Sequence, residues 1–187
     1  PADAGHVFTA TRMAVFESTD YGATWSGKGD LAGSEGMAMS PTSASNLIAG
    51  AGDKAYLSTD GGQTWSLTLQ LVRPDDVSEA DWSGIQPRRF AFAPSNPLVV
   101  YAATRNYAGL SDDPNYDRLP GDGVYRSADG GQTWSRLEHA AIRRLGVQAL
   151  AVDPQNEDVV YAGTFRGAGL LKSIDGGATW THINSGI

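Results

Sequence analysis

The sequence contains no cysteine, so it has neither a disulfide framework nor a thiolate site. It has no apolar run near the roughly 20 residues that a bilayer-spanning helix needs, and no charged leader followed by an apolar stretch. Acidic residues outnumber basic ones by 21 to 14, which gives a net charge of -7. Because a nucleic-acid partner requires a basic face, we expect no such partner. The lack of a long apolar run and of a charged leader predicts no membrane insertion and no signal peptide within this sequence.

The motifs that hold metals and cofactors are also lacking. The three histidines are scattered along the chain, and no pair has the spacing of metal ligands. The sequence contains no nucleophile elbow, phosphate loop or dinucleotide fingerprint. It therefore predicts neither a metal nor a cofactor.

What the chain does contain is one phrase repeated four times. The phrase reads STDYGATW, STDGGQTW, SADGGQTW and SIDGGATW, and it covers residues 18–25, 58–65, 127–134 and 173–180. The final tryptophans are 40, 69 and 46 residues apart. A period of roughly 40 to 50 residues is typical of a propeller blade, with one long insertion in the third unit.

Each unit also contains short alternating or β-branched apolar runs separated by turn residues, which predicts strands. We expect an all-β propeller segment of four four-stranded antiparallel blades, formed by the single stretch 1–187. The predicted blades cover about 6–30, 36–69, 88–138 and 147–185. Nothing before the first blade's HVFTATR segment reads as an innermost strand, so we expect that strand to be missing.

The repeated phrase has a physical explanation as a closed hairpin. Its aspartate can accept hydrogen bonds from the backbone of its own turn, glycine supplies a left-handed conformation, and the tryptophan can bury a large apolar body against the neighbouring sheet. Four equivalent copies argue for structure, because catalytic carboxylates would imply four active sites. The predicted structural residues are Asp20, Trp25, Asp60, Trp65, Asp129, Trp134, Asp175 and Trp180.

The pattern S-x-D-x-G-x-T-W resembles the Asp-box, or BNR, repeat. That repeat occurs in sialidases, xyloglucanase-type glycoside hydrolases, sortilin-like receptors and the photosystem II assembly factor family, all of which are β-propellers. The resemblance covers nearly the whole chain and implies the fold. It implies no single function, because the family combines enzymes with binding proteins.

Four units are fewer than the six or more blades usual in that family. The chain is therefore expected to be a piece of a longer propeller, or else to complete its ring with another subunit. In either case an open half-ring exposes sheet faces that need partners.

Two long insertions interrupt the short, regular turns. They cover 70–87, between the second and third blades, and 105–123, between the second and third strands of the third blade. In a four-stranded blade these two kinds of connection open on the same face, and long loops on a rigid scaffold commonly bind ligands. The residues predicted to bind on this face are Trp82, Arg105, Tyr107, Asp113, Tyr116, Asp117 and Arg166.

Several chemical interpretations of this face remain open. The carboxylates beside Trp82 suit sugar binding or glycoside cleavage, or they form a solvated acidic turn. The segment DPNYD spaces oxygen ligands as a calcium loop does, but Arg118 and Val124 stand where an EF-hand needs Gly and Glu. Arginines follow the second strand of three units, as in sialidases, yet no sialidase nucleophile pair can be assigned.

We expect a non-catalytic recognition scaffold that binds a protein or glycan partner through these loops and is extracytoplasmic or secreted. The alternative is part of a glycoside hydrolase, xyloglucanase-like rather than sialidase-like, that acts on polysaccharide. Whether the chain is an enzyme is left open by the sequence, since an enzyme needs two carboxylates that face a groove at about 5 to 10 Å separation.

Overall fold

The structure is a computed structural model, and it describes residues 5–73, 75, 79, 84–106, 122–143, 145–164 and 169–185. Across these residues it contains fifteen β-strands in four antiparallel sheets, which follow one another along the chain. No helix in the described part of the chain is long and apolar enough to span a bilayer.

The first sheet has three strands and the second has four. The strands of the first sheet pair in the order β1 (Val7–Ala10), β2 (Val15–Ser18) and β3 (Ser26–Lys28). Those of the second pair in the order β4 (Ser34–Met39), β5 (Leu47–Ala51), β6 (Lys54–Ser58) and β7 (Ser66–Gln70). Within the described residues, the first sheet lacks an equivalent of β4, the innermost strand, as the sequence predicts.

The third and fourth sheets repeat the four-stranded arrangement. The third contains β8 (Ile85–Phe92), β9 (Val100–Asn106), β10 (Val124–Ser127) and β11 (Ser135–Arg136). The fourth contains β12 (Val147–Asp153), β13 (Asn156–Thr164), β14 (Leu170–Ser173) and β15 (Thr181–His182). This architecture confirms the predicted all-β propeller segment.

The Asp-box hairpins join the third and fourth strands of the blades, and each is closed by its own residues. In the second sheet, Asp60 accepts from the backbone N–H of Thr64 at 2.9 Å and from its hydroxyl at 2.6 Å. Ser58 donates to the same carboxylate at 2.8 Å and accepts from the Gly62 N–H at 2.8 Å. Both Gly61 and Gly62 have positive φ. The box aspartate thus accepts hydrogen bonds within its own hairpin.

The core lies between consecutive sheets, and three of the Asp-box tryptophans help to form it. Trp65 packs on the cluster that contains Val15 of the first sheet, and Trp134 donates to the Thr68 hydroxyl of the second sheet at 3.3 Å. Trp180 is 4% exposed and belongs to the cluster between the third and fourth sheets. Each of these tryptophans thus joins its own sheet to the preceding one.

Trp25 corrects the expectation that every box tryptophan is buried against a neighbouring sheet. Its side chain keeps the hydrogen bond to the Gly22 carbonyl, at 3.1 Å, but it is 44% exposed. The reason is positional, because in the described structure no sheet covers the side of the first sheet that carries Trp25.

Glycines allow the second and third sheets to approach closely at one point. A Cβ at Gly36 would lie 2.1 Å from the Arg88 carbonyl oxygen, and a Cβ at Gly50 would lie 1.9 Å from that of Pro87. Only a residue without a side chain fits against backbone at these distances. The contact fixes the start of β8 against the start of β4.

Candidate functional site

Both insertions join the third sheet at the same end. Ile85, where the first insertion meets β8, pairs with Asn106, where β9 enters the second. Where the second insertion ends and the chain re-enters the sheet, the Gly123 carbonyl accepts from the Thr104 N–H at 3.0 Å. The strands extend further than expected, because β8 and β9 reach into the ranges predicted as insertions.

Of the residues predicted to bind on this face, the structure describes Arg105. It lies on β9 rather than in a loop, is half-buried and pairs in register with Gln86. The other predicted residues lie outside the described residues, and their proposed roles stay predictions; they are Trp82, Tyr107, Asp113, Tyr116, Asp117 and Arg166.

Asp122, two residues before β10 begins, anchors the end of the second insertion. It is 2% exposed, its N–H donates to the Thr104 hydroxyl at 2.7 Å, and its carboxylate accepts from Tyr125 and, at 2.7 Å, from Arg136. Burial, followed by the hydrogen bond to this carboxylate, raises the pKa of Tyr125 well above its usual value. These contacts give Asp122 a structural role.

A feature that the sequence analysis missed lies beside these loops. The first strand of each four-stranded sheet has a register irregularity near its start, and the residue skipped by the pairing is Glu35 in β4, Arg88 in β8 and Gln148 in β12. We call these three residues the bulge row. Bulges redirect side chains and are frequent next to binding sites.

The bulge row is linked from sheet to sheet. Arg88 forms an ion pair with Glu35, and Arg12, in the turn after β1, approaches the other oxygen of Glu35 at 3.2 Å. Next in sequence to Arg88, Arg89 donates from Nε to the Gln148 carbonyl at 2.7 Å. The chain of contacts runs across all four sheets, since β4, β8 and β12 lie next to one another.

Arginines lie at and beside the bulge row. The guanidinium groups of Arg12 and Arg88 contact the carboxylate of Glu35, and Arg89 binds the Gln148 carbonyl. Arg88 and Glu35 are mostly buried and neutralise each other, with side chains 15% and 16% exposed. The Arg12 side chain is 71% exposed, and Arg89 is exposed as well.

A sequence signal for the row exists. Each of the segments SEGMAM, IQPRRFAF and VQALAV carries a charged or amide side chain within its first four residues and becomes more apolar after it. A polar residue at the start of an otherwise apolar strand indicates that this end of the strand differs from the core. Which of these residues is skipped by the pairing depends on strand register, which the sequence of a single unit does not show.

The Asp-box carboxylates are poor candidates for acid–base chemistry. Hydrogen bonds, first from the Thr24 hydroxyl and then from its N–H, lower the pKa of Asp20 to about 2. The same bonds from Thr64 lower the pKa of Asp60 to about 2. Carboxylates held in this way remain ionised acceptors at neutral pH. No group of three or more potential metal ligands occurs among the residues that the structure describes.

Comparison with known proteins agrees with the hairpin geometry. The family model for the BNR/Asp-box repeat matches residues 56–67 and 125–136, which are the second and third boxes. The chain therefore contains Asp-box repeats. No curated protein sequence matches this Asp-box chain.

Solved structures share the fold at low identity. An ancestral GH74 enzyme has a TM-score of 0.73 and 24% identity, over 98% of this chain and 23% of its own. The GH74 xyloglucanase from Xanthomonas campestris has a TM-score of 0.66 and 20% identity, over 97% of this chain and 28% of its own. The Asp-box chain thus spans about a quarter of the length of these enzymes.

A protein in complex with a peptide shares the fold too. The structure of YCF48 bound to D1 peptide has a TM-score of 0.56 and 18% identity, over 95% of this chain and 49% of its own. At these identities the likeness concerns the fold alone.

Proposed function

We propose that this Asp-box chain is a non-catalytic recognition module that binds an acidic partner segment at the end of the sheets where both insertions meet the bulge row. The observation that supports it best is the pair of exposed arginines, Arg12 and Arg89, held in place by Glu35 and by the Gln148 carbonyl. Arginine suits this role because its planar guanidinium binds carboxylates through two parallel hydrogen bonds and is enriched at interface hot spots.

The rigidity of the support is a second argument. Glu35 and Arg88 are mostly buried, and the backbone of β8 is wedged against Gly36 and Gly50. A guanidinium fixed by such contacts loses less side-chain entropy when it binds. That one solved relative of the fold is bound to a peptide makes peptide recognition compatible with this architecture.

The proposal is tested with a fluorescein-labelled oligoglutamate peptide and, as a probe of opposite charge, an oligolysine peptide. Fluorescence anisotropy should detect binding of the acidic peptide, and the double variant Arg12→Gln/Arg89→Gln should weaken it strongly. The matched control is Gln63→Glu/Gln132→Glu, which changes the net charge equally but on Asp-box hairpins at the opposite end of the sheets. An equal loss of peptide binding in both double variants would mean that only net charge matters, which would contradict the proposed site.

A second candidate is glycoside hydrolysis, which the likeness to the xyloglucanase from Xanthomonas campestris suggests. The bulge row provides one carboxylate, Glu35, which is paired with Arg88, whereas a glycosidase needs two carboxylates that flank the bond to be cleaved. Release of reducing ends from xyloglucan by the chain, abolished in Glu35→Gln, would support this candidate against the recognition proposal. We expect no release.

A further inference from the structure

The two exposed arginines of the proposed binding surface are each held by a neighbouring sheet. Arg12 lies in the turn after β1, and its Nε donates to the Glu35 carboxylate of the second sheet at 3.2 Å. Arg89 lies on β8, and its Nε donates to the Gln148 carbonyl of the fourth sheet at 2.7 Å. The Nη1 of Arg89 also donates to the Arg88 carbonyl, at 3.1 Å. The orientation of both guanidinium groups is therefore fixed through Nε.

Each of these guanidinium groups keeps a terminal nitrogen for a ligand. Within the described residues, neither terminal nitrogen of Arg12 contacts another group, and the same is true of Nη2 of Arg89. The side chain of Arg12 is 71% exposed, and Arg89 is exposed too. Terminal nitrogens of arginine bind carboxylate oxygens well. Two separate contacts with an acidic ligand are thus available at this end of the sheets.

The two guanidinium groups lie on opposite sides of β8. This strand packs against β4 on one side and against β12 on the other. Arg12 is bound on the β4 side through Glu35, and Arg89 is bound on the β12 side through Gln148. Because packed sheets lie about 10 Å apart, the separation of the two guanidinium groups is on the order of 10 Å. One carboxylate cannot contact both, since a hydrogen bond spans only about 3 Å.

The surface between the two arginines is electrically balanced. It contains the ion pair of Arg88 with Glu35, whose side chains are 15% and 16% exposed. An acidic group placed over this pair would meet a cation that is already neutralised, and the carboxylate of Glu35 would repel it. Across the second and third sheets, the charges therefore follow the order positive, neutral, positive.

We propose that the partner segment carries two acidic side chains separated by two uncharged residues, one for each arginine. This inference rests on the proposed function and defines its acidic partner more closely. In an extended polyproline II conformation, residues i and i+3 lie on the same side of the chain and about 9 Å apart, which matches the separation of the two guanidinium groups. Once one acidic side chain is bound, the other is held near its own arginine, so the two contacts reinforce each other.

An NMR titration of the ¹⁵N-labelled chain at low ionic strength tests the spacing. The probes are two blocked peptides of equal composition, Gly-Glu-Gly-Ser-Glu-Gly, which we call the spaced peptide, and Gly-Gly-Glu-Glu-Ser-Gly, the adjacent peptide. We expect the spaced peptide to bind about tenfold more tightly, because only it reaches both arginines. It should also shift the Nε–H signals of Arg12 and Arg89 with one common midpoint. Both signals suit this measurement, since both Nε groups are hydrogen-bonded.

Single substitutions show whether both arginines are needed. Arg12→Gln and Arg89→Gln should each weaken binding of the spaced peptide about tenfold, to the affinity of the adjacent peptide. The matched control is Gln63→Glu, which lowers the net charge by the same amount on the second box hairpin. This control should keep the preference for the spaced peptide. A preference that persisted in Arg12→Gln would contradict the proposal.

The unsubstituted chain separates a failure of the spacing from a failure of the proposed function. If both peptides bound equally while oligoglutamate still bound through both arginines, the two-residue spacing would be wrong and the recognition of acidic segments would stand. If oligoglutamate did not bind either, the proposed function would fail together with the spacing.

Discussion

The Asp-box hairpins of the first and fourth sheets are nearly identical in their internal bonds and opposite in their burial. The N–H of the box threonine donates to the aspartate at 2.8 Å in both, and its hydroxyl at 2.5 Å in both. The tryptophan Nε1 donates to the glycine carbonyl at 3.1 and 2.9 Å. Yet Trp25 is 44% exposed and Trp180 is 4% exposed.

This difference separates two functions of the same eight residues. The side chains of the box serine and aspartate bond only to residues at most four positions away, so this part of the hairpin closes locally. A backbone N–H of the box can also donate to an earlier turn of the chain, as Gly61 does to the Ser45 carbonyl. Burial of the indole requires a preceding sheet, which the fourth hairpin has and the first lacks in the described structure. The box is therefore a local staple everywhere and a contact between sheets only where another sheet covers it.

The largest difference in stability should be between a variant that lacks Trp180 and one that lacks Trp25. Trp180→Ala should lower the free energy of unfolding by about 3 to 5 kcal/mol, because it leaves a cavity between the third and fourth sheets. Trp25→Ala should cost about 1 kcal/mol or less, because much of that indole is already in water. Urea denaturation measures both, and equal losses would contradict the distinction.

A smaller effect should follow from adding one methyl group to a covered or an uncovered glycine. Gly50→Ala should destabilise by about 1 to 3 kcal/mol, because its Cβ would meet the Pro87 carbonyl oxygen and force the sheets apart. Gly27 lies on the side of the first sheet that carries Trp25, and a Cβ there would meet Phe16 at an ordinary 3.9 Å. The free energy of unfolding of Gly27→Ala should therefore be within about 0.5 kcal/mol of that of the unsubstituted chain. Thermal unfolding would detect the difference. If Gly50→Ala did not lower the stability, the close contact between Gly50 and the Pro87 carbonyl would not be formed.

The smallest effect concerns pH and should be shared by all hairpins. Hydrogen bonds lower the pKa values of Asp20 and Asp60 to about 2, against about 3.9 in an unfolded chain. The unfolded state therefore binds more protons in this range, so the stabilisation is complete above about pH 4 and is lost as the pH falls through 2. Acid titration of the side-chain carboxyl signals by NMR measures these values.

Thr24→Val provides the internal control for that titration. Removing the hydroxyl that donates to Asp20 at 2.5 Å should raise the pKa of Asp20 towards its ordinary value, whereas Asp60 should be unaffected. If both aspartates shifted, or neither did, the hydrogen bonds of the individual box would not be the cause.

The repeat made most of the fold predictable, whereas the candidate site was only partly so. Strand number, the three-stranded first sheet and the closure of the hairpins follow from patterns within each unit. The bulge row does not, because Glu35, Arg88 and Gln148 become neighbours only when β4, β8 and β12 lie side by side. Their unpaired positions depend on register between strands, which a one-residue shift would change.

The sequence by itself determined the local structure of this protein. Ser, Asp, Gly and Thr at fixed offsets provide donors, acceptors and left-handed backbone within one turn, so each hairpin closes in the same way wherever it occurs. Only the tertiary structure decided which of these hairpins bury their tryptophan, which arginines are exposed beside the insertions, and which sheet faces are left uncovered. These properties depend on which sheet packs against which. That packing brings together residues that are far apart in the chain, so no local sequence pattern predicts it.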